Sequence, residues 1–411
     1  MNVPATMKAL QLTAPGKLSA VELPVPQPGP DEVLVRTVAT TICTSDLNDI
    51  AHNPFGIALP RVLGHEGAGT VAALGRRVQG FQPGELVAAH PVIPCGHCEN
   101  CRRGLAHLCA RMGHLGLDRD GTFAEFFCIR ADRVRRAPVS LPAHAASLLE
   151  PVAVCLEAVQ RGRIQSGDSV VVVGDGPFGI LIARLASKHS PKTIILVGRH
   201  EFRLRQVPSV IAINEKDTPN VLGTIRAAIR MATSSATSLR SQQPSLPLPA
   251  QRGEGWGERP PGLSQRTSSP RPSAPSEEER EETSFPETFG RTFRGGAGAD
   301  VAIMATGTQS ALDLCAACLR ARGRLVVFSA LQGRAALDLF RLHTQELEIL
   351  GACNDQDLID PALERLADPA LALASLVTHR VPFGEWPRAF ELARGRKDEA
   401  LKVALIFPET A

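Results

Sequence analysis

Four cysteines crowd into one short loop, as Cys95-x2-Cys98-x2-Cys101-x7-Cys109. Four thiolates at this spacing can close a tetrahedral zinc site without ligands from elsewhere. The competing reading, four unligated buried thiols, fits poorly with a polar, glycine-bearing loop. A site closed by four cysteines has no open position, so it would stiffen its lobe and do no chemistry. A second set is dispersed: Cys43 in TICTSD, and His65-Glu66 in GHEGAG. A thiolate and an imidazole with a carboxylate or water are the donors of an open, catalytic zinc. Taken singly, Cys43 reads as a core thiol and His65 as a satisfied imidazole. The surrounding pattern Gly64-His65-Glu66-x2-Gly69-x5-Gly75-x2-Val78, followed by Gly80-Phe81-x-Pro83-Gly84, gives the pair more weight.

A third signal is VVVVGDGPFG, in which Gly174-x-Gly176-x2-Gly179 follows an apolar strand and opens a helix, with Pro177 and Phe178 inside the turn. In that context the glycines form a dinucleotide fingerprint: they permit the turn and let a pyrophosphate approach the helix N-terminus. The alternative is a glycine-rich turn that binds nothing. An NAD site places an acid at the end of the second strand, about twenty residues on, to pair with the ribose hydroxyls. TIILVG ends instead in Gly198, followed by Arg199, His200 and Arg203. Loss of the acid and gain of cations lean toward NADP. Arg199 stacked on adenine keeps NAD open.

The elements that must carry these residues fall into two textures. Residues 7–140 give short β-runs broken by Gly and Pro, suggesting a small all-β unit. From Asp168, Val/Ile-rich strands alternate with helices, indicating a parallel, doubly wound sheet. The fold class is therefore α/β: a β-rich unit over 1–150 with the cysteine lobe at 95–109, a dinucleotide-binding unit over 151–349, and a return to the first unit over 350–411. Between about 218 and 292 the chain is rich in Ser, Pro, Gly and charge. Such a stretch cannot bury enough surface to offset its ordering entropy, so it reads as a disordered insertion. LPLPAQRGEGWGERP within it looks like a translated bacterial intergenic repeat. That favours an insertion without function over a partner-binding tail.

Composition narrows the function classes. A net charge of +3, with acids and bases nearly balanced, argues against nucleic-acid or membrane-surface binding. No apolar run approaches the roughly 18 residues of a membrane span. The opening MNVPATMKALQL has no signal-peptide core, and scattered cysteines fit a reducing cytoplasm.

Taken together, the GHE signature, the Cys-Thr-Ser-Asp motif, the four-cysteine lobe and the cofactor glycines resemble the zinc-containing medium-chain dehydrogenases of the alcohol dehydrogenase superfamily. The likeness runs along the whole chain except the insertion and extreme N-terminus, and is nearest the polyol and threonine branch. It implies a GroES-like catalytic domain beside a Rossmann domain, with two zinc ions and NADP or NAD. It implies that Cys43 and His65 ligate the catalytic zinc with Glu66 as ligand or close neighbour. It further implies that Glu150, in a Leu-Glu-Pro form, binds the metal directly or through its water, the bland alternative being a helix cap. Asp46 matches an acid that orients the His65 ring, and Thr306-Gly307 lies where the family approaches the nicotinamide. The relay histidine of the alcohol branch is replaced by Asn48. Ser45 can still pass a proton, and His52 is a weaker candidate for the next step. The expected reaction is reversible hydride transfer between a secondary alcohol (a polyol, sugar or hydroxy-amino acid) and NAD(P). The expected assembly is a homodimer or homotetramer through an edge strand near 323–330. Two readings compete: a catalytically inactive nucleotide-binding homologue disrupted by the insertion, and a zinc-free quinone reductase, which the intact Cys43, His65 and cysteine lobe disfavour.

Overall fold

The computed structural model describes residues 3–240, 297–331, 333–395 and 399–408, the side chains of 235–240 excepted. The short β-runs of the first third form a three-stranded sheet (Lys17–Pro24, Thr6–Ala14, Arg61–Val62) and most of a seven-stranded mixed sheet. The hub of the larger sheet is Glu32–Thr41. Its first residues pair with Phe126–Arg130. Its last residues, Ala39–Thr41, lie between Glu66–Ala68 on one side and Ala404–Ile406 on the other. The C-terminal strands Val377–Pro382 and Lys402–Ile406 thus return to the first unit, joining it at the residues just before Cys43. Helix α1 (Thr44–His52) begins there, capped by Cys43.

Helix α2 (Leu149–Arg161) leads into the second unit, a six-stranded parallel sheet. Its strands are β1 (Ser169–Val173), β2 (Thr193–Gly198), β3 (Ile211–Asn214), β4 (Ala299–Met304), β5 (Leu319–Val327) and β6 (Glu348–Gly351). The order 3-2-1-4-5-6 reverses between β1 and β4, and a dinucleotide binds in the crevice at such a switch point. Every residue of β1 is buried, as the run of valines requires of a central parallel strand. Helix α3 (Pro177–Ala186) starts at the crevice, with Gly176 as its N-cap and Pro177 in its first turn. One continuous core joins α2 (Val152, Ala153, Leu156) to Val170, Val172 and Ile180 of the parallel unit and to Ala68 and Ala88 of the mixed sheet. Each such Leu, Ile or Val contributes about 1.5–3 kcal/mol when fully buried. The two units are therefore seated against each other by α2, and the cleft between them has firm walls. Among the described residues no helix is long and apolar enough to cross a membrane.

Two expectations need correction. The excursion does not begin near 218: Val221–Arg240 is a helix, α4, that puts Ile225 and Ile229 into the core at 0% and 2% exposure. Apolar residues spaced four apart along one face outweigh the polar composition downstream. Residues 241–296, the bulk of the expected insertion, lie outside the described residues. Nor is the stretch near 323–330 a sheet edge. Residues 324–327 of β5 pair with β4 on one side and β6 on the other, and β6 is the edge. The LEILGAC run adds one more parallel strand outside the nominated one.

Candidate metal and nucleotide site

The register of the mixed sheet assembles the first cluster. Thr41 pairs with Glu66 across one flank and with Ala404 across the other. Cys43 follows two residues later, and His65 stands just before Glu66. Donor atoms of Cys43, His65 and Glu66 lie within 4.8 Å of one another, all three residues buried. The first turn of α1 holds the arrangement: Asp46 Oδ2 accepts the Cys43 N–H at 2.8 Å, and Asp46 Oδ1 sits 3.2 Å from His65 Nδ1. A carboxylate on Nδ1 fixes the ring and leaves Nε2 for a ligand. Burial disfavours a charged His65, but the Asp46 carboxylate and Cys43 raise its pKa well above the ordinary value.

Glu66 has a partner that no local pattern announced. Lys402 Nζ donates to both of its carboxylate oxygens, 2.6 Å from Oε2, and the Thr41 hydroxyl also donates to Oε2. Burial works against the charge on Lys402, yet Glu66 and Cys43 keep its pKa above normal. Removing one member of a buried ion pair costs about 3–5 kcal/mol, because it strands the other charge. Lys402→Met is therefore expected to lower the unfolding free energy by about that amount. Denaturant titration at constant slope checks this, and an unchanged midpoint refutes it.

Glu150 stands outside the 4.8 Å set. Its Oε2 is shut off from solvent and has no hydrogen-bond partner among the described residues. Burial, reinforced by the charge of Glu66 against the opposing pull of His65, raises its pKa to about 7. An unpaired buried carboxylate oxygen beside metal donors suits a group that binds the metal or its water. The His114 ring, in a loop expected to line the pocket but given no role of its own, lies 5.7 Å from the His65 ring and points Nδ1 at the Leu115 carbonyl, 2.7 Å away. Burial first, and His65 second, push its pKa down to about 4, so it faces the cluster as a neutral imidazole. Ser45 is half-buried in the first turn of α1. His52 is exposed at the far end of that helix, about 13 Å from Cys43 at 1.5 Å per residue, too far to act as a relay.

In the cysteine lobe, Cys98 Sγ lies 3.4 Å from Cys101 Sγ and 3.7 Å from Cys109 Sγ. Bonds of about 2.3 Å to a tetrahedral zinc set sulfurs ~3.8 Å apart. A disulfide would hold them at about 2.05 Å, and all ten cysteines are free thiols. All four donors lie within 4.8 Å of one another. The spacing therefore fits a shared ion.

The glycine turn is shaped for close approach. Gly174 has φ +123°, and a Cβ there would meet the Ala305 carbonyl at 2.9 Å. A Cβ at Gly179 would lie 1.8 Å from Gly174 O, whereas Gly176 faces open space at the head of α3. A pocket of about 270 Å³ is lined by Gly174, Asp175, Gly176, Gly198, Arg199 and Thr306. Pro177, Phe178 and Arg203 line a second recess together with Cys43, Thr44 and Lys402. Cys43 and the first residues of α3 thus share one recess. Strands β3 and β4, on either side of the insertion, keep their pairing to β2 and β1.

The cations counted toward NADP are already engaged. Arg199 Nε pairs with Glu215 at 2.9 Å, and Arg203 is buried with NH1 3.8 Å from Asp175 Oδ1. A carboxylate stands at the end of β2 after all, supplied by Asp175. Loss of the acid was one ground for the lean toward NADP, beside the gain of cations, and Asp175 puts a carboxylate at that place.

Residues 29–139 match the family model for the alcohol dehydrogenase GroES-like domain, and residues 275–368 match that for zinc-binding dehydrogenase. The chain belongs to the zinc-binding dehydrogenases. L-Threonine 3-dehydrogenase of Pyrococcus horikoshii is 38% identical over 201 residues, which is 48% of this chain and 58% of that one. The match thus spans less than two-thirds of that relative. Sorbitol dehydrogenase of Bacillus subtilis is 27% identical over 412 aligned residues, 99% of each chain. A solved zinc-binding dehydrogenase fold from Sinorhizobium meliloti 1021, bound to NADP, superposes with a TM-score of 0.76 at 23% identity, covering 98% of this chain and 100% of that one.

Proposed function

We propose that this zinc-binding dehydrogenase reversibly oxidises a secondary alcohol of the polyol, sugar or hydroxy-amino-acid class, with a nicotinamide dinucleotide as hydride acceptor. The observation that carries the reading is the recess shared by Cys43 with Pro177 and Phe178, which brings one donor of the cluster to the head of the nucleotide-binding helix. Zinc held by Cys43 and His65, with Glu66 or Glu150 completing the set, would supply Lewis acidity at the alcohol oxygen, and bound nicotinamide would take up the hydride. The chain's own residues do the positioning. Asp46 fixes the His65 ring. Lys402 and Thr41 hold the Glu66 carboxylate. Ser45, in the first turn of α1, offers a hydroxyl to carry a proton outward from the substrate oxygen. The glycine turn seats the pyrophosphate at the head of α3.

A second zinc belongs to Cys95, Cys98, Cys101 and Cys109, where it is structural. Assembly is a homodimer or homotetramer through the β6 edge, near which Ile349, Leu339 and Phe340 are exposed. The relatives named above support polyols and L-threonine as the first substrates to try. Elemental analysis of purified protein is expected to give two zinc ions per chain. Incubation with NAD or NADP and a panel of polyols and hydroxy-amino acids is expected to yield reduced nucleotide. A zinc-loaded protein that binds nucleotide but reduces none with any member of the panel would sink this reading.

A further inference from the structure

We propose that Asp175, inside the glycine turn, replaces the missing acid at the end of β2, so that the protein takes NAD in preference to NADP. The inference rests on the oxidoreductase reading above and sharpens it.

The carboxylate occupies the volume that a side chain at residue 198 would fill. A Cβ built on Gly198 would lie 2.3 Å from Asp175 Cβ, 2.5 Å from its Cγ and 2.6 Å from its Oδ2. A side chain can stand at 175 or at 198, not at both, and in this chain the acid stands at 175. Its seat is built. Asp175 Oδ2 accepts the backbone N–H groups of Arg199 and His200, each at 2.7 Å, and lies 3.0 Å from His200 Nδ1. Oδ1 has longer contacts, 3.3 Å to His200 Nδ1 and 3.8 Å to Arg203 NH1. A carboxylate has about four lone-pair sites, so Oδ1 keeps room for another donor. The residue is 7% exposed and lines the pocket that also contains Gly174, Gly176, Gly198 and Thr306.

A ribose bearing free hydroxyls offers donors to such an oxygen. A 2′-phosphate at the same place would set a dianion against it, with the Glu215 carboxylate lining the same pocket. The nearby cations do not reverse this. Arg199 is drawn to Glu215, and Arg203 leans on Asp175 itself. Asp175 is thus a specificity-determining residue, reaching from the turn to a position usually served by the strand.

Equilibrium binding of NADH and NADPH to the zinc-loaded full chain, measured by nucleotide fluorescence, tests this without turnover. The unmodified protein is expected to bind NADH roughly 10- to 100-fold more tightly, the range of a charge-assisted hydrogen bond. Asp175→Asn keeps an acceptor for the two backbone N–H groups but removes the charge, and should shrink that ratio about tenfold or more. Asp175→Gly should bring it near unity, and Asp175→Gly with Gly198→Asp should restore NADH preference by returning the acid to the strand. Should the glycine variants fail to fold, Asp175→Asn decides alone. Variants that weaken both nucleotides equally and leave the ratio unchanged assign Asp175 a structural role and overturn the inference. Tighter binding of NADPH by the unmodified protein overturns it while leaving the oxidoreductase reading intact. Binding of neither nucleotide overturns both.

Discussion

Cys43→Ser is expected to lower kcat about 1,000-fold or more while leaving the affinity for nucleotide near that of the unmodified protein. A metal ion's charge stabilisation at the reacting oxygen is worth several kcal/mol, and each 1.36 kcal/mol is about one decade in rate. Cys43 supplies the only thiolate of its cluster, and serine is a far weaker zinc donor. Nucleotide binding should survive because the pocket at Gly174–Gly176 and Thr306 does not include Cys43. Turnover and nucleotide fluorescence on the same preparation separate the two effects, with zinc content read alongside. Full activity with the serine variant would remove the metal cluster from the mechanism.

The second large effect should be on stability. Cys101→Ser is expected to halve the zinc content from two ions to one and to lower the thermal midpoint by roughly 10 °C or more, at about 2–4 °C per kcal/mol for a domain of 150–250 residues. Structural zinc sites bind with apparent free energies of about 10–16 kcal/mol, so losing even part of that is felt. The lobe is also a contact surface. Asn354 Nδ2 donates to the His107 carbonyl at 2.9 Å, and Gln356 Nε2 donates to the Gly104 carbonyl at 3.2 Å. Close by, His90 Nε2 lies 2.6 Å from Asp355 Oδ1, both side chains buried. A loosened lobe would therefore release the segment that leaves β6. Limited proteolysis should cut within 95–112 in the variant and not in the unmodified protein. A variant with one zinc and an unchanged midpoint would show that the lobe's metal does not carry the stability assigned to it.

What could be read from the sequence follows the range of the interactions. The cysteine lobe and the glycine turn were legible because their chemistry is local: ligands or backbone groups within a few residues meet by chain geometry alone. Cys43 and His65 were legible only through the patterns around them, since the pairing of Thr41 with Glu66 that brings them together is a long-range fact. Lys402 was not legible. It stands 336 positions from Glu66, and a lysine with no local motif reads as surface. Asp175 was in plain view within the turn, yet its meaning depends on where Gly198 lies in the adjoining strand, and β-pairing sets that. The same holds for β6, whose outer place decides that β5 is not an edge. The start of α4 was misplaced for another reason: composition averaged over a long window hid two isoleucines on one face.

The pairing of Glu66 with Lys402 also orders events in time. A ribosome adding about 5–20 residues per second takes roughly 20–70 s to travel from one to the other. Through that interval the carboxylate has no ammonium to face, and the gap beside Thr41 has no strand to fill it. The entire nucleotide unit is made during the wait. The first unit can close its sheet only when the last strand arrives, so its folding must trail that of the unit encoded after it.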